Sequence, residues 1–143
     1  MSKSNVFEEE LLKLIFNGTP IPNLADNAAA APTPNLFLAL HTADPGESGV
    51  QSTSEVNYTG YARVPVARSA SGWVVTGNSV SPAAAIEFGE MTAGTPGTAV
   101  YASIGVAQSG TGKILYRGAL TPAVNFTVGV VPRLRTTSTI TEE

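Results

Sequence analysis

Leu36-Phe37-Leu38-Ala39-Leu40-His41-Thr42-Ala43-Asp44-Pro45-Gly46-Glu47 is the stretch that decides the fold. Its opening is an unbroken apolar run, too short for a typical helix and suited to a strand covered on both faces. The run stops at Asp44-Pro45-Gly46, where each residue has a turn-forming reason. Pro fixes φ, the Asp carboxylate bonds backbone two residues on, and Gly accepts positive φ. A buried strand closed by such a turn predicts β structure, and the chain beyond it agrees. Residues 61–67 predict a second strand, in which Pro65 argues for an edge or a bulge. Gly72-Trp73-Val74-Val75-Thr76 predicts a third, closed by Gly77-Asn78, and residues 84–88 a fourth. Val100, Ala102, Ile104 and Val106 then alternate with Tyr101, Ser103, Gly105 and Ala107, the two-residue period of a strand. A turn at 108–112 leads into a strand over 113–120. Val124, Phe126, Val128 and Val130 alternate with Asn125, Thr127 and Gly129 in the next. A last strand is expected from 134 to 140. Short strands with turns roughly every 8 to 12 residues predict a mainly-β fold, a β-sandwich or jelly-roll-like barrel. The polar, Gly/Ser/Thr-rich residues 45–60 are expected to form a long exposed loop.

The N-terminal side reads differently. Residues 5–17 predict an α-helix with Asn5 as N-cap and Glu8 at the capping-box spacing. Glu8, Glu9 and Glu10 sit where the helix dipole favours negative charge. Phe7, Leu11, Leu14 and Ile15 recur at i, i+4, i+7 and i+8 and form one apolar stripe. Asn17-Gly18 supplies the stop, and Pro20 and Pro22 prevent continuation. The stripe docks either on its own domain or on a neighbouring subunit, which makes these four residues the candidate subunit interface. Residues 18–35 look like a connecting arm, with an Ala run at 28–31 that suits a short helix ended by Pro32 and Pro34. The division expected is residues 1–35 as N-terminal helix and arm, and 36–143 as the β-sandwich domain.

Composition narrows the function. A chain of 143 residues can bury a core as one domain. It has no cysteine, so a disulfide framework and a thiolate metal site are both excluded. Charged residues are only 13% of the chain, about half the usual share. So neutral a surface dissolves poorly when free and suits coverage by partners. Net charge is −3 and the basic residues are scattered, which speaks against nucleic acid. No stretch approaches the roughly 18 consecutive apolar residues of a membrane span. The N-terminus shows no secretory signal pattern.

Candidate chemistry is sparse. His41, the single histidine, has Asp44 three residues on, a pairing that suggests the base and orienter of a hydrolase. Yet there is no cysteine and no Gly-x-Ser-x-Gly elbow to supply a nucleophile, so His41 is expected to hydrogen-bond the loop beyond it. Asp44, Glu47 and Glu55 flank that loop without the alternating spacing of a calcium site. Glu87 and Glu90 read as solvated strand ends rather than a glycosidase pair. Residues 105–112 are Gly-rich but open no helix with Gly-Lys-Ser/Thr, so they are no phosphate loop. Trp73 is expected in the core rather than as a sugar-stacking platform. No catalytic, cofactor, metal or small-molecule site is expected.

The opening stretch, with Glu55-Val56-Asn57-Tyr58-Thr59-Gly60-Tyr61-Ala62-Arg63-Val64, resembles a family of small tailed-bacteriophage and prophage proteins. These are often labelled phage tail fibre or virion structural proteins. Gly72-Trp73-Val74-Val75-Thr76-Gly77-Asn78, Gly112-Lys113-Ile114-Leu115-Tyr116-Arg117-Gly118-Ala119-Leu120 and Gly129-Val130-Val131-Pro132-Arg133-Leu134 extend the resemblance over nearly the whole chain. It implies a virion component without catalysis, assembled in the host bacterial cytoplasm. It also implies homo-oligomers and partners among the major capsid protein or other virion proteins. A fibre shaft needs repeats or heptads, which are absent here. A compact domain with a helical arm looks more like a capsid decoration (cement) protein. The alternative is a tail- or fibre-associated adhesin that presents residues 45–60 to a host surface.

Overall fold

A computed structural model describes residues 3–21, 25 and 33–142. The protein is mainly β with one N-terminal helix, and five of its strand pairs are antiparallel. Among the described residues the sheets stay open, and none closes into a barrel. Two compact units interleave along the sequence. One draws on the chain up to Asn35, on Val66–Ala85 and on the chain from Arg135; the other on Leu36–Pro65 and Ile86–Leu134.

In the first unit, α1 (Asn5–Leu12) is capped by Ser4, not by Asn5 as the capping-box spacing suggested. The Ser4 hydroxyl accepts from Phe7 N, and the Ser4 carbonyl takes the first helical bond from Glu8 N. The helix runs on as one π-helical turn, Lys13–Asn17, and ends at Gly18 in the left-handed region, φ 66°. Arg68 then donates to the terminal carbonyls of Ile15 and Leu14 at 2.7 and 2.5 Å. A cation there satisfies orphan acceptors and complements the helix dipole. The side chains turned fully inward are Glu8, Leu12 and Phe16. Phe16 packs edge-to-face on Trp73, ring centroids 4.8 Å apart, and Asn17 donates to the Trp73 carbonyl. Trp73 opens β3 (Trp73–Thr76), which with β4 (Ser79–Pro82) and β9 (Ile140–Thr141) forms a three-stranded sheet in that order. Val80 of β4 completes the buried cluster. The Ala run at 28–31 lies outside the described residues.

The second unit is built on β1 (Asn35–His41) and β6 (Gly97–Gly105), adjacent in a four-stranded sheet of order β2-β1-β6-β7. Here β2 is Val64–Ala67 and β7 is Ile114–Phe126. Leu36, Leu38, Ala39 and Leu40 are buried, as the apolar run required of a central strand. A short pair, β5 (Ile86–Glu87) with β8 (Arg133–Leu134), completes the set.

Several strands differ from the sequence pattern: it does not predict β4, β2 begins at Val64 and not at 61, and the strand expected over 84–88 is only Ile86–Glu87. Residues 113–120 and 124–130 are not separate strands: β7 is continuous over 13 residues, and Val128 and Val130 lie beyond it. The β6–β7 register slips between Ala99 and Tyr101, where the partner jumps from Val124 to Ala119. Pro122 falls within that slip, and a residue with no N–H cannot continue a ladder. The expected strand over 134–140 is divided, because Ser138 N bonds Arg135 O in a turn that sends its two ends to different sheets.

Candidate functional site

Residues 42–63 run from the end of β1 to the start of β2, and they hold most of the unusual polar chemistry. The expectation of a long exposed loop over 45–60 holds only in part: Glu47, Ser48, Ser52, Ser54, Asn57, Thr59 and Gly60 are exposed, whereas Pro45, Gln51, Val56 and Tyr58 are buried, as is Arg63 beyond them. Composition misled because the polar side chains bond inward.

His41, at the end of β1, has no solvent exposure. Its Nδ1 lies 2.8 Å from the Thr53 carbonyl, which can only accept, so Nδ1 carries the proton. The bare Nε2 therefore accepts from Ser103 Oγ at 2.7 Å. Burial pushes the imidazole pKa below its ordinary value, and Arg63 adds to that; the Thr53 bond and Glu55 pull the other way. A serine on a histidine whose far nitrogen is held by an oxygen has the outline of a nucleophile and its base. Ser103 is only 2% exposed and His41 not at all, so no substrate reaches either. The arrangement staples the loop to β1 and β6.

Asp44 is not the histidine's orienter. Its carboxylate accepts from Gly46 N at 2.9 Å and from Arg117 at 2.6 Å, on the surface. The Gly46 N–H and then the Arg117 charge hold it below the usual carboxylate range.

Glu55 and Arg63 form a second anchor. Arg63 Nε and Nη2 each lie 2.7 Å from one Glu55 oxygen, a bidentate pair. The same guanidinium donates to the carbonyls of Ala107 and Gly110 at 3.0 and 2.6 Å. Tyr61 donates to Glu55 and accepts from Leu40 N, and its burial pushes the phenol well above its ordinary pKa. Gln51, fully buried, donates to Phe37 O and accepts from Ala107 N. Glycine is required beside it: a Cβ on Gly105 or Gly112 would stand 2.2 or 2.1 Å from the Gln51 amide.

The remaining sequence candidates disperse. Glu47 and Glu90 are exposed, and Glu87 pairs with Arg133 on the surface. No cluster of three or more possible metal ligands occurs among the described residues. Trp73 is buried at 1% exposure and offers no platform. Phe7, Leu11, Leu14 and Ile15 are each half-buried, the true inward positions being 8, 12 and 16. Glu8 at the head of that row hid it from a search for apolar periodicity. Gln51, Ser103 and Arg63 were missed too, although Gly105 and Gly112 on either side of a hairpin were a signal that something presses there.

The family described as Podophage GP4 fiber I protein gp80 matches residues 2–141. The chain belongs to this family. The fiber I family is one of phage virion structural proteins, in line with the resemblance read from the sequence. Its description is of a fibre protein, not of a capsid decoration protein. A search of curated proteins gives no match. No helix among the described residues is long and apolar enough to cross a membrane.

Proposed function

We propose that the chain is a non-enzymatic, tail- or fibre-associated structural protein of the virion. The fiber I family match over residues 2–141 carries this reading. The inward-bonded loop adds to it, since its buried polar groups are spent on holding shape rather than left open to a ligand. Residues 1–35 act as the part that reaches a neighbouring virion protein, through the outer flank of the helix. Phe7, Leu11, Leu14 and Ile15 remain half-exposed there while Leu12 and Phe16 hold the helix to its own unit. Replacing Leu11 and Ile15 by Asp is expected to keep the isolated chain folded and remove it from assembled particles. Unfolding of the isolated variant would instead make the stripe part of the core.

A capsid decoration role is the second reading, favoured by the absence of shaft repeats or heptads from the sequence. Copy number and position separate the two. Immunogold labelling and quantitative mass spectrometry of purified virions should find a few copies at the tail. Abundance matching the major capsid protein, spread over the head, would overturn the fibre reading.

A further inference from the structure

Asn17-Gly18, where the helix ends, is the one Asn-Gly pair in the chain, and the pair carries a chemistry of its own. The Gly18 nitrogen attacks Asn17 Cγ. The new N–Cγ bond replaces the Cγ–Nδ2 bond, and the Gly18 amide proton leaves with Nδ2 as ammonia. Water then opens the succinimide at either carbonyl, leaving aspartate or its isopeptide-linked isomer. Glycine favours the attack because it has no Cβ to crowd it and its backbone turns freely. Every other asparagine here precedes a residue with a side chain.

In the folded first unit both reacting groups are engaged elsewhere. The Gly18 N–H donates back down the helix to Lys13 O, which Thr19 N also reaches at 3.1 Å. Asn17 Nδ2 donates to Trp73 O at 3.1 Å, which holds the side-chain amide against β3. Arg68 fixes the turn before it through the carbonyls of Ile15 and Leu14. Solvent is nevertheless at hand, since Asn17 is half-buried and Gly18 exposed. Conformation, not access to water, holds the reaction back.

We propose that Asn17 is the deamidation site of this chain, gated by the seating of the helix end on Trp73 and Arg68. The helix with its π turn spans only residues 5–17, near the length at which an isolated helix is marginal. Such an end opens locally while the rest of the fold persists. Each opening frees the Gly18 N–H and the Asn17 amide together. The change is one-way. Afterwards an oxygen stands where Nδ2 donated, so a carboxylate meets the Trp73 carbonyl as acceptor against acceptor. It also places negative charge at the negative end of the helix dipole. A helix end that has reacted therefore reseats poorly, and the site works as an irreversible record of opening.

Peptide mass spectrometry of the full chain, incubated in mildly alkaline buffer, tests this. In the urea-unfolded chain Asn17 should convert before any other asparagine. In the folded chain it should convert far more slowly, because the rate follows the population of the open form. Arg68→Ala removes two charge-assisted bonds from the helix end and should speed conversion at Asn17 by roughly 10- to 100-fold, with circular dichroism unchanged. A urea series on the natural chain covers the case in which that variant does not fold: conversion should rise before the global unfolding transition. Hydrogen exchange over residues 14–18 should be faster in Asn17→Asp than in the natural chain. Equal conversion in folded and unfolded chains, another asparagine reacting first, or a rate that moves only with global unfolding overturns the proposal. So does a folded Arg68→Ala chain that converts at the natural rate, and unchanged exchange in Asn17→Asp removes the one-way loosening.

Discussion

The surroundings of Trp73 in the first unit and of residues 42–63 in the second are held by different means. Around Trp73 the first unit packs Leu12, Phe16 and Val80, and the Trp73 indole N–H has no hydrogen-bond partner among the described residues. Under residues 42–63 the second unit buries Gln51, His41, Ser103 and Arg63, and nearly every polar atom there has a named partner. The difference is one of tolerance. Apolar contacts are non-directional and accept a similar shape, whereas a buried polar network fails when one member is lost, because its partners stay desolvated.

The largest effect is expected from breaking the network at its charged member. Arg63→Ala strands the Glu55 carboxylate and the carbonyls of Ala107 and Gly110, and should cost about 3–5 kcal/mol in urea unfolding. Replacing both partners, Arg63→Met with Glu55→Leu, should recover most of that loss. If the double variant is no better than the single, charge pairing is not what holds the loop.

Next comes the apolar side of the comparison. Leu12→Ala should cost about 2–5 kcal/mol through the cavity it leaves. Leu12→Met should cost less than about 1.5 kcal/mol, since the volume is kept. Equal losses for the two would mean that the first unit demands shape as strictly as the second.

Smaller again is the effect of crowding the network without removing a partner. Gly112→Ala drives a methyl into the Gln51 amide, and about 1–3 kcal/mol is expected. Gly77→Ala provides a contrast, because a Cβ there meets nothing and only the positive φ opposes it.

The smallest effect is set by pH. Burial lowers the His41 pKa in the folded chain, so between that value and the unfolded value near 6.5 the unfolded chain binds more protons. The stabilisation is thus complete above about pH 6.5 and declines as pH falls, by at most about 1.4 kcal/mol per pH unit. No other histidine shares this window. Denaturation midpoints at pH 7 and pH 5.5 should therefore differ in the natural chain and converge in His41→Gln. A persisting difference in that variant would assign the effect to other groups.

Legibility in the sequence tracked the reach of each interaction. The run over 36–40 announced a central strand because covering both faces leaves no polar position to alternate. Gly18 announced the helix end, and strand period with turn chemistry announced the mainly-β class. All of these are local. The buried helix row at 8, 12 and 16 was obscured because Glu8 heads it and a π-helical turn shifts the face presented by residues 13–17. Pro122 was readable as a residue unfit for a ladder, but whether it ended a strand or sat in a slip depended on what β6 offered opposite.

By itself, then, the sequence determined the N-terminal helix, the central strand at 36–40, the mainly-β class and the absence of thiol chemistry, since neighbours in the chain or residue types alone decide these. Only the tertiary structure decided the fate of residues 42–63. Their composition is that of a solvated loop. Arg63, Gln51 and His41 become buried anchors only because backbone groups and a hydroxyl from residues far along the chain, at 103, 107 and 110, arrive at hydrogen-bonding distance. Hydrogen bonds are short-ranged and directional, so their partners appear only once the sheet has assembled.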